Sequence, residues 1–153
     1  PINDLLTWGA ITYPFSFLVT DLTTRLRGPV QARKVVYLGF ALAVLLSIWL
    51  ATPRIALASG TAFLVGQLLD IQVFQRLRAG SWWRAPLVSS SLGSVVDTTL
   101  FFSLAFAGTD MPWMTLALGD LGVKLIIAVL ALAPFRAVLA GSRSFSDAGC
   151  IDA

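Results

Sequence analysis

Long apolar runs, separated by short polar breaks, dominate the hydropathy pattern. Five are near the ~20 residues that cross a bilayer core: about 5–24, 35–52, 55–74, 86–107 and 113–138. None shows the period-2 alternation of a membrane barrel. Backbone groups in hydrocarbon must bond within their own segment, so the runs predict helices. Pro14 interrupts the first run, which is also the most polar; the second, VVYLGFALAVLLSIWLAT, carries no charge. The predicted fold is therefore an all-α, polytopic transmembrane helix bundle spanning 1–140. A polar, small-residue tail, GSRSFSDAGCIDA at 141–153, is expected to be disordered.

Composition agrees on the solvent. Apolar residues make up 57% of the 153 and charged residues only 12%, against roughly 25% charge in a soluble domain. A chain of this length has too little interior to hide so much apolar surface from water, so its natural partner is a lipid bilayer. The net charge of +3 would suggest nucleic acid in a soluble protein, but the positions of the charges give another reason for it. Arg25, Arg27, Arg33 and Lys34 follow the first run, Arg76, Arg78 and Arg84 lie between the third and fourth, and Arg136 and Arg143 close the fifth. If the spans alternate, all these ends share one side, and the other side holds only Arg54. The positive-inside rule makes the Arg-rich side and the C-terminus cytoplasmic. Trp82, Trp83 and Trp113 fit interfacial aromatic belts. The first visible span then starts outside, and one further helix upstream would restore an inside start. The opening PINDLL does not read as a signal peptide.

With no His, and with Cys150 as the lone cysteine in the tail, the chain offers no Cys/His metal site, internal disulfide, or Ser–His or Cys–His catalytic pair. No P-loop is present. No cofactor is expected, and no enzymatic activity.

The chemistry lies in the polar residues that interrupt the runs. Every acid is Asp, and Asp21, Asp70, Asp97 and Asp120 fall inside predicted spans, with Gln67 and Lys124. A charge at mid-bilayer costs at least ~2.5–3.5 kcal/mol, and such residues usually face an interior or a water-filled path. Asp97 and Lys124 lie near mid-depth, Asp120 a turn nearer the outside, and Asp21 and Asp70 in the cytoplasmic thirds. For those last two, pairing with Arg25 or Arg76 near the headgroups is the plain structural alternative. Asp120 and Lys124 at i, i+4 share a helix face, as do Gln67 and Asp70 at i, i+3. Ser90, Ser94, Asp97 and Thr98 cluster on one side of the fourth span beside Gly93. Two readings follow: a buried Asp97–Lys124 pair that only locks helices together, or a polar pocket for a ligand. Poor stabilisation by buried pairs favours the pocket. Phe15 and Phe17 flank Pro14, whose broken ladder often marks a cavity.

The segments YPFSFLVTDLTTR (13–25), GQLLDIQVFQRLR (66–78) and VVDTTLFF (95–102), in this order and spacing, resemble the queuosine precursor transporter family. These are small bacterial inner-membrane proteins also described as vitamin-uptake-like. The likeness runs from 8 to 135. It implies six transmembrane helices, of which five are visible here and the first is missing. It also implies import of 7-deazaguanine bases for salvage of queuosine, a modified tRNA base. Such a base presents N1–H and a 2-amino group on one edge, two donors that a carboxylate can accept together, and a flat ring that stacks on an aromatic wall. On that reading Asp97 is the favoured edge-binder, Asp70 with Gln67 are second candidates, Asp120–Lys124 shape the cavity, and Phe15 or Phe17 stacks. Energisation has two readings: a stand-alone carrier, facilitated or ion-coupled, or a substrate-capture subunit that borrows an ATPase module; a homo-oligomer fits either. A non-transporting structural subunit is a further alternative. An intramembrane aspartyl protease is disfavoured, because neither a Tyr-Asp pair nor a Gly-x-Gly-Asp surrounds the acids.

Overall fold

A computed structural model describes residues 8–50, 52–110 and 112–148. Every regular element in it is helical: α1 Trp8–Arg27, α2 Pro29–Leu50, α3 Pro53–Leu77, α4 Arg84–Phe106, α5 Trp113–Leu130 and α6 Leu132–Ala148. The chain is thus an all-α helix bundle, as the hydropathy pattern predicts. Among the described residues α3, α4 and the α5–α6 rod, Trp113–Ser142, are long and apolar enough to cross a membrane.

Glycine and proline set the breaks. Gly28 sits at φ +86°, a left-handed position that ends a helix at little cost only without a Cβ. Pro29 then opens α2, where a missing N–H is harmless, and the Gly28 carbonyl accepts the first bond of that helix from Ala32 N at 3.2 Å. This is why α2 begins at Pro29, ahead of the apolar run that starts at 35. Thr52 and Pro53 repeat the arrangement at α3, with Ala56 N donating to the Thr52 carbonyl at 2.9 Å. Pro134 cannot donate to the carbonyl of residue 130, and its ring crowds that turn. The fifth predicted span is therefore divided at Ala131, while Ala131 N still donates to Ile127 O and Phe135 N to Ala131 O. α6 continues helically from 141 to Ala148, the first part of the tail expected from the sequence to be disordered. Asp4, Cys150 and the rest of 149–153 lie outside the described residues.

The ends of the helices sort by charge. At one end Arg25 Nη1 donates to the carbonyl of Arg78 at 2.7 Å, tying α1 to α3. Arg136 lies 5.2 Å over the Trp82 ring at that same end. At the other, Arg54 donates to the carbonyls of Leu104 and Ala107 at 3.1 and 2.6 Å, tying the start of α3 to the end of α4. Arg27, Arg76 and Arg84 lie at the α1, α3 and α4 ends that meet there, so the asymmetry counted along the sequence is kept in the fold.

The bundle is apolar outside and polar inside, the reverse of a soluble protein. Leu38, Leu42, Trp49, Leu57, Leu118 and Ile126 are exposed, whereas Asp21, Asp70, Asp97, Asp120, Lys124, Gln67, Thr20 and Thr24 are buried. α3 packs along α4 most extensively. Their crossing is at Gly66 and Gly93, where a Cβ on Gly66 would lie 3.2 Å from the Gly93 carbonyl and 3.1 Å from Asp97 Cβ. Small residues allow this close approach. It presses Asp97 into the interior. Toward the Arg-rich end, Phe74, Ala85 and Phe135 close the bundle, with Leu18, Leu22, Leu77 and Leu139 around them. The two rings meet edge-on at 6.2 Å.

Candidate functional site

Two buried polar clusters occupy the interior. The first joins α4 to α5. Lys124 Nζ lies 2.7 Å from Asp97 Oδ2 and 2.6 Å from Asp120 Oδ2, and donates to Thr98 Oγ1 at 3.0 Å. The Thr98 hydroxyl in turn donates a hydrogen bond to Asp120 Oδ2 at 2.9 Å. These contacts match the three donors of an ammonium, and all four residues are at most 3% exposed. The helical spacing of Asp120 and Lys124 places both on the face turned to α4, as the i, i+4 relation predicts. Asp97 Oδ1 is buried with no hydrogen-bond partner. One carboxylate oxygen of the cluster is therefore unused.

The second cluster joins α1, α3 and α4 toward the Arg-rich end. Asp21 accepts from Ser89 Oγ at 3.2 Å and Ser90 Oγ at 2.9 Å. Asp70 lies against Asp21 and Ser89. Neither of its oxygens meets a partner in hydrogen-bonding geometry, although the residue is fully buried. The pairing of Asp21 with Arg25 that sequence position suggested is not formed: Arg25 turns outward to the Arg78 carbonyl. Nearby, Thr20 Oγ1 lies 2.7 Å from Gln67 Oε1 and 2.9 Å from Ser16 O. A hydroxyl has one proton and serves one of the two. Turned end for end, the Gln67 amide would donate to Thr20 and release that proton to Ser16.

A small cavity borders both clusters. Its wall includes Phe17, Asp21, Ser90, Ser94, Lys124 and Phe135. The space inside is about 10 Å³, enough for roughly one water and far below the roughly 300–1,000 Å³ of a ligand pocket. This conformation is closed around its polar centre. Of the residues singled out in the sequence, Asp97, Asp120 and Lys124 come together directly. Gln67 and Asp70 are buried on α3, Gln67 against Thr20 and Asp70 in the second cluster beside Asp21. Phe17 faces the cavity at 2% exposure, while Phe15 is 60% exposed on the outer side of α1 and takes no part in it. Asp21, which the sequence left open between the interior and a headgroup pairing with Arg25, is also in the wall. Its signal was the Ser89–Ser90 pair, one turn from Ser94 on the face that carries Asp97.

An apolar shell around a closed, ion-lined centre defines the chain as a multi-pass helical membrane protein with an internal polar site. The family described as "Putative vitamin uptake transporter" matches residues 7–52 and 45–139. Over 159 aligned residues the chain is 38% identical to the "Probable queuosine precursor transporter" of Haemophilus influenzae, covering 87% of this chain and 68% of that protein. It is also 38% identical to the "Queuosine precursor transporter" of Escherichia coli K12, covering 87% and 72%. Identity to the Bacillus subtilis "Probable queuosine precursor transporter" is 26%, covering 82% and 68%. No solved structure matches. The chain belongs to the queuosine precursor transporter family.

Proposed function

We propose that the protein imports queuosine precursors, 7-deazaguanine bases, across the bacterial inner membrane, with the Arg-rich end and the C-terminus in the cytoplasm. The observation that carries this is the buried Asp97–Lys124–Asp120 cluster beside a cavity walled by Phe17. A carboxylate with an unused oxygen at mid-depth has the chemistry to accept the paired N1–H and 2-amino donors of the base. Phe17 offers a ring on which the base stacks, worth about 0.5–1.5 kcal/mol beyond its buried area. Gln67, buried on α3, supplies an amide for a second edge. Lys124 and Asp120 hold Asp97 in place when the base is absent.

The small cavity gives the transport cycle its form. The base enters only when the helices part, so the closed conformation is an intermediate between openings to either side. The Phe74–Phe135 closure forms the barrier toward the cytoplasm.

Asp97→Asn tests the assignment. The amide keeps the shape but presents an N–H₂ to the donor edge of the base, and a charge-assisted interaction of about 1.5–3 kcal/mol is lost. Uptake of labelled 7-deazaguanine into vesicles holding the purified chain alone should fall about 10- to 100-fold. The protein should still accumulate, because Asp120 continues to partner Lys124. Unchanged uptake by Asp97→Asn would remove Asp97 from the role. Uptake by the wild-type chain without a partner favours the stand-alone carrier over a capture subunit.

A further inference from the structure

The second cluster contains more acid than the bundle neutralises. Around Asp21 and Asp70, α1 contributes Thr20 and Thr24, whose hydroxyls lie against neighbouring oxygens. α2 packs on α3 with apolar Ala32, Val36 and Ile71. α3 contributes Gln67, α4 contributes Ser89, Ser90 and, further along, Asp97, and α5 contributes Lys124 and Asp120. Among the described residues no base in this surround reaches the pair. Lys124 is engaged by Asp97 and Asp120, Arg25 by the Arg78 carbonyl, and Arg76 and Arg78 are exposed.

Two neighbouring carboxylates buried in a low-dielectric interior cannot both carry charge cheaply. One proton between them removes a charge and supplies an O–H donor to the other acid, as in other buried carboxylate pairs. A metal ion fits less well. Ser89 and Ser90 aim their hydroxyl protons, not their lone pairs, at Asp21, and no metal-binding group of three or more ligating side chains occurs among the described residues.

We propose that Asp21 and Asp70 form a proton-binding site that couples entry of the base to the downhill entry of protons. The proposal rests on the transport reading above. Asp21 and Ser90 wall the same cavity as Phe17, Ser94 and Lys124, so a base in the enlarged cavity and a proton on the pair are neighbours and bias each other's binding, a linkage that is reciprocal. The proton enters with the base when the cavity opens outward and leaves to the cytoplasm when it opens inward. Neither step breaks any other bond.

The test uses the full chain in vesicles, with labelled 7-deazaguanine and an imposed gradient of either protons or sodium. One proton per base predicts about tenfold accumulation for each pH unit, inside alkaline, because one unit is worth 1.36 kcal/mol. A protonophore should abolish it, and a sodium gradient should have no effect. Asp70→Asn, whose side chain is not in the cavity wall, should still be stabilised thermally by the base, yet its uptake should no longer respond to the pH gradient; should that variant fail to assemble, Asp21→Asn is read by the pH response of its remaining uptake alone, since Asp21 borders the base. Wild-type uptake indifferent to pH, uptake driven by sodium, or a retained pH response in either variant would overturn the coupling while leaving transport intact. A wild-type chain that neither binds nor carries the base would overturn the transport reading itself, and the coupling with it.

Discussion

Lys124→Met should be the most damaging single substitution in the bundle. Methionine is close to lysine in length and flexibility but brings no charge and no donor. It leaves Asp97 and Asp120 facing each other, with the one Thr98 proton already given to Asp120. Among the described residues Lys124 is the only buried base, and no exposed arginine is placed to replace it. Removing one partner of a buried ion cluster typically costs about 3–5 kcal/mol, because the remaining charge is stranded. Membrane accumulation should drop severely, and any purified protein should melt far below the wild type. The triple variant Lys124→Met, Asp97→Asn, Asp120→Asn removes the stranded charges and should recover much of the loss without recovering uptake. Normal melting of Lys124→Met, measured by thermal unfolding in detergent, would show that the cluster is not the electrostatic centre inferred here.

Gly93→Leu should have the second largest effect. A Cβ at this position would already lie 2.7 Å from Phe17 Cε1 and 3.2 Å from the Gly66 carbonyl. The ring can turn aside only into the cavity, and the carbonyl can retreat only if α3 and α4 part. A leucine does both. Overpacking a tight interior costs about 1–3 kcal/mol, occasionally more, and here it also displaces the ring proposed to stack on the base. Both melting temperature and uptake should fall. Gly122→Ala is the matched control. Nothing lies within 4 Å of its added Cβ, and alanine is better than glycine in a helix by about 0.8–1.0 kcal/mol, so stability should hold or rise. Equal behaviour of Gly93→Leu and Gly122→Ala would refute the tight crossing.

Much of the architecture is legible in one dimension because membrane insertion is itself nearly one-dimensional. The apolar runs became helices, and Gly28–Pro29, Pro53 and Pro134 mark breaks through local backbone geometry, although α1 runs unbroken through Pro14. The Asp120–Lys124 relation depended only on helical period. Asp21 shows where this reasoning stops. Depth alone left it open between Arg25 and the interior; rotation of α1 turned it inward to Ser89 and Ser90, while Arg25 found a carbonyl on α3. Phe15 and Phe17 show the same limit, since two residues apart on a helix they point to different sides, and only packing reveals which side is the interior.

The order of the chain alone therefore determined a lipid-embedded helical bundle, its charge asymmetry, its family and the set of polar residues kept away from lipid. These follow from composition, period and local backbone rules, which act within one segment. Tertiary structure alone decided that Lys124 bridges two aspartates, that Asp21 meets Asp70 with no base beside them, and that the cavity between the clusters is closed. Those outcomes depend on how each helix is rotated and how closely it approaches its neighbours. At the α3–α4 crossing that approach is set by two glycines whose importance appears only when the helices touch.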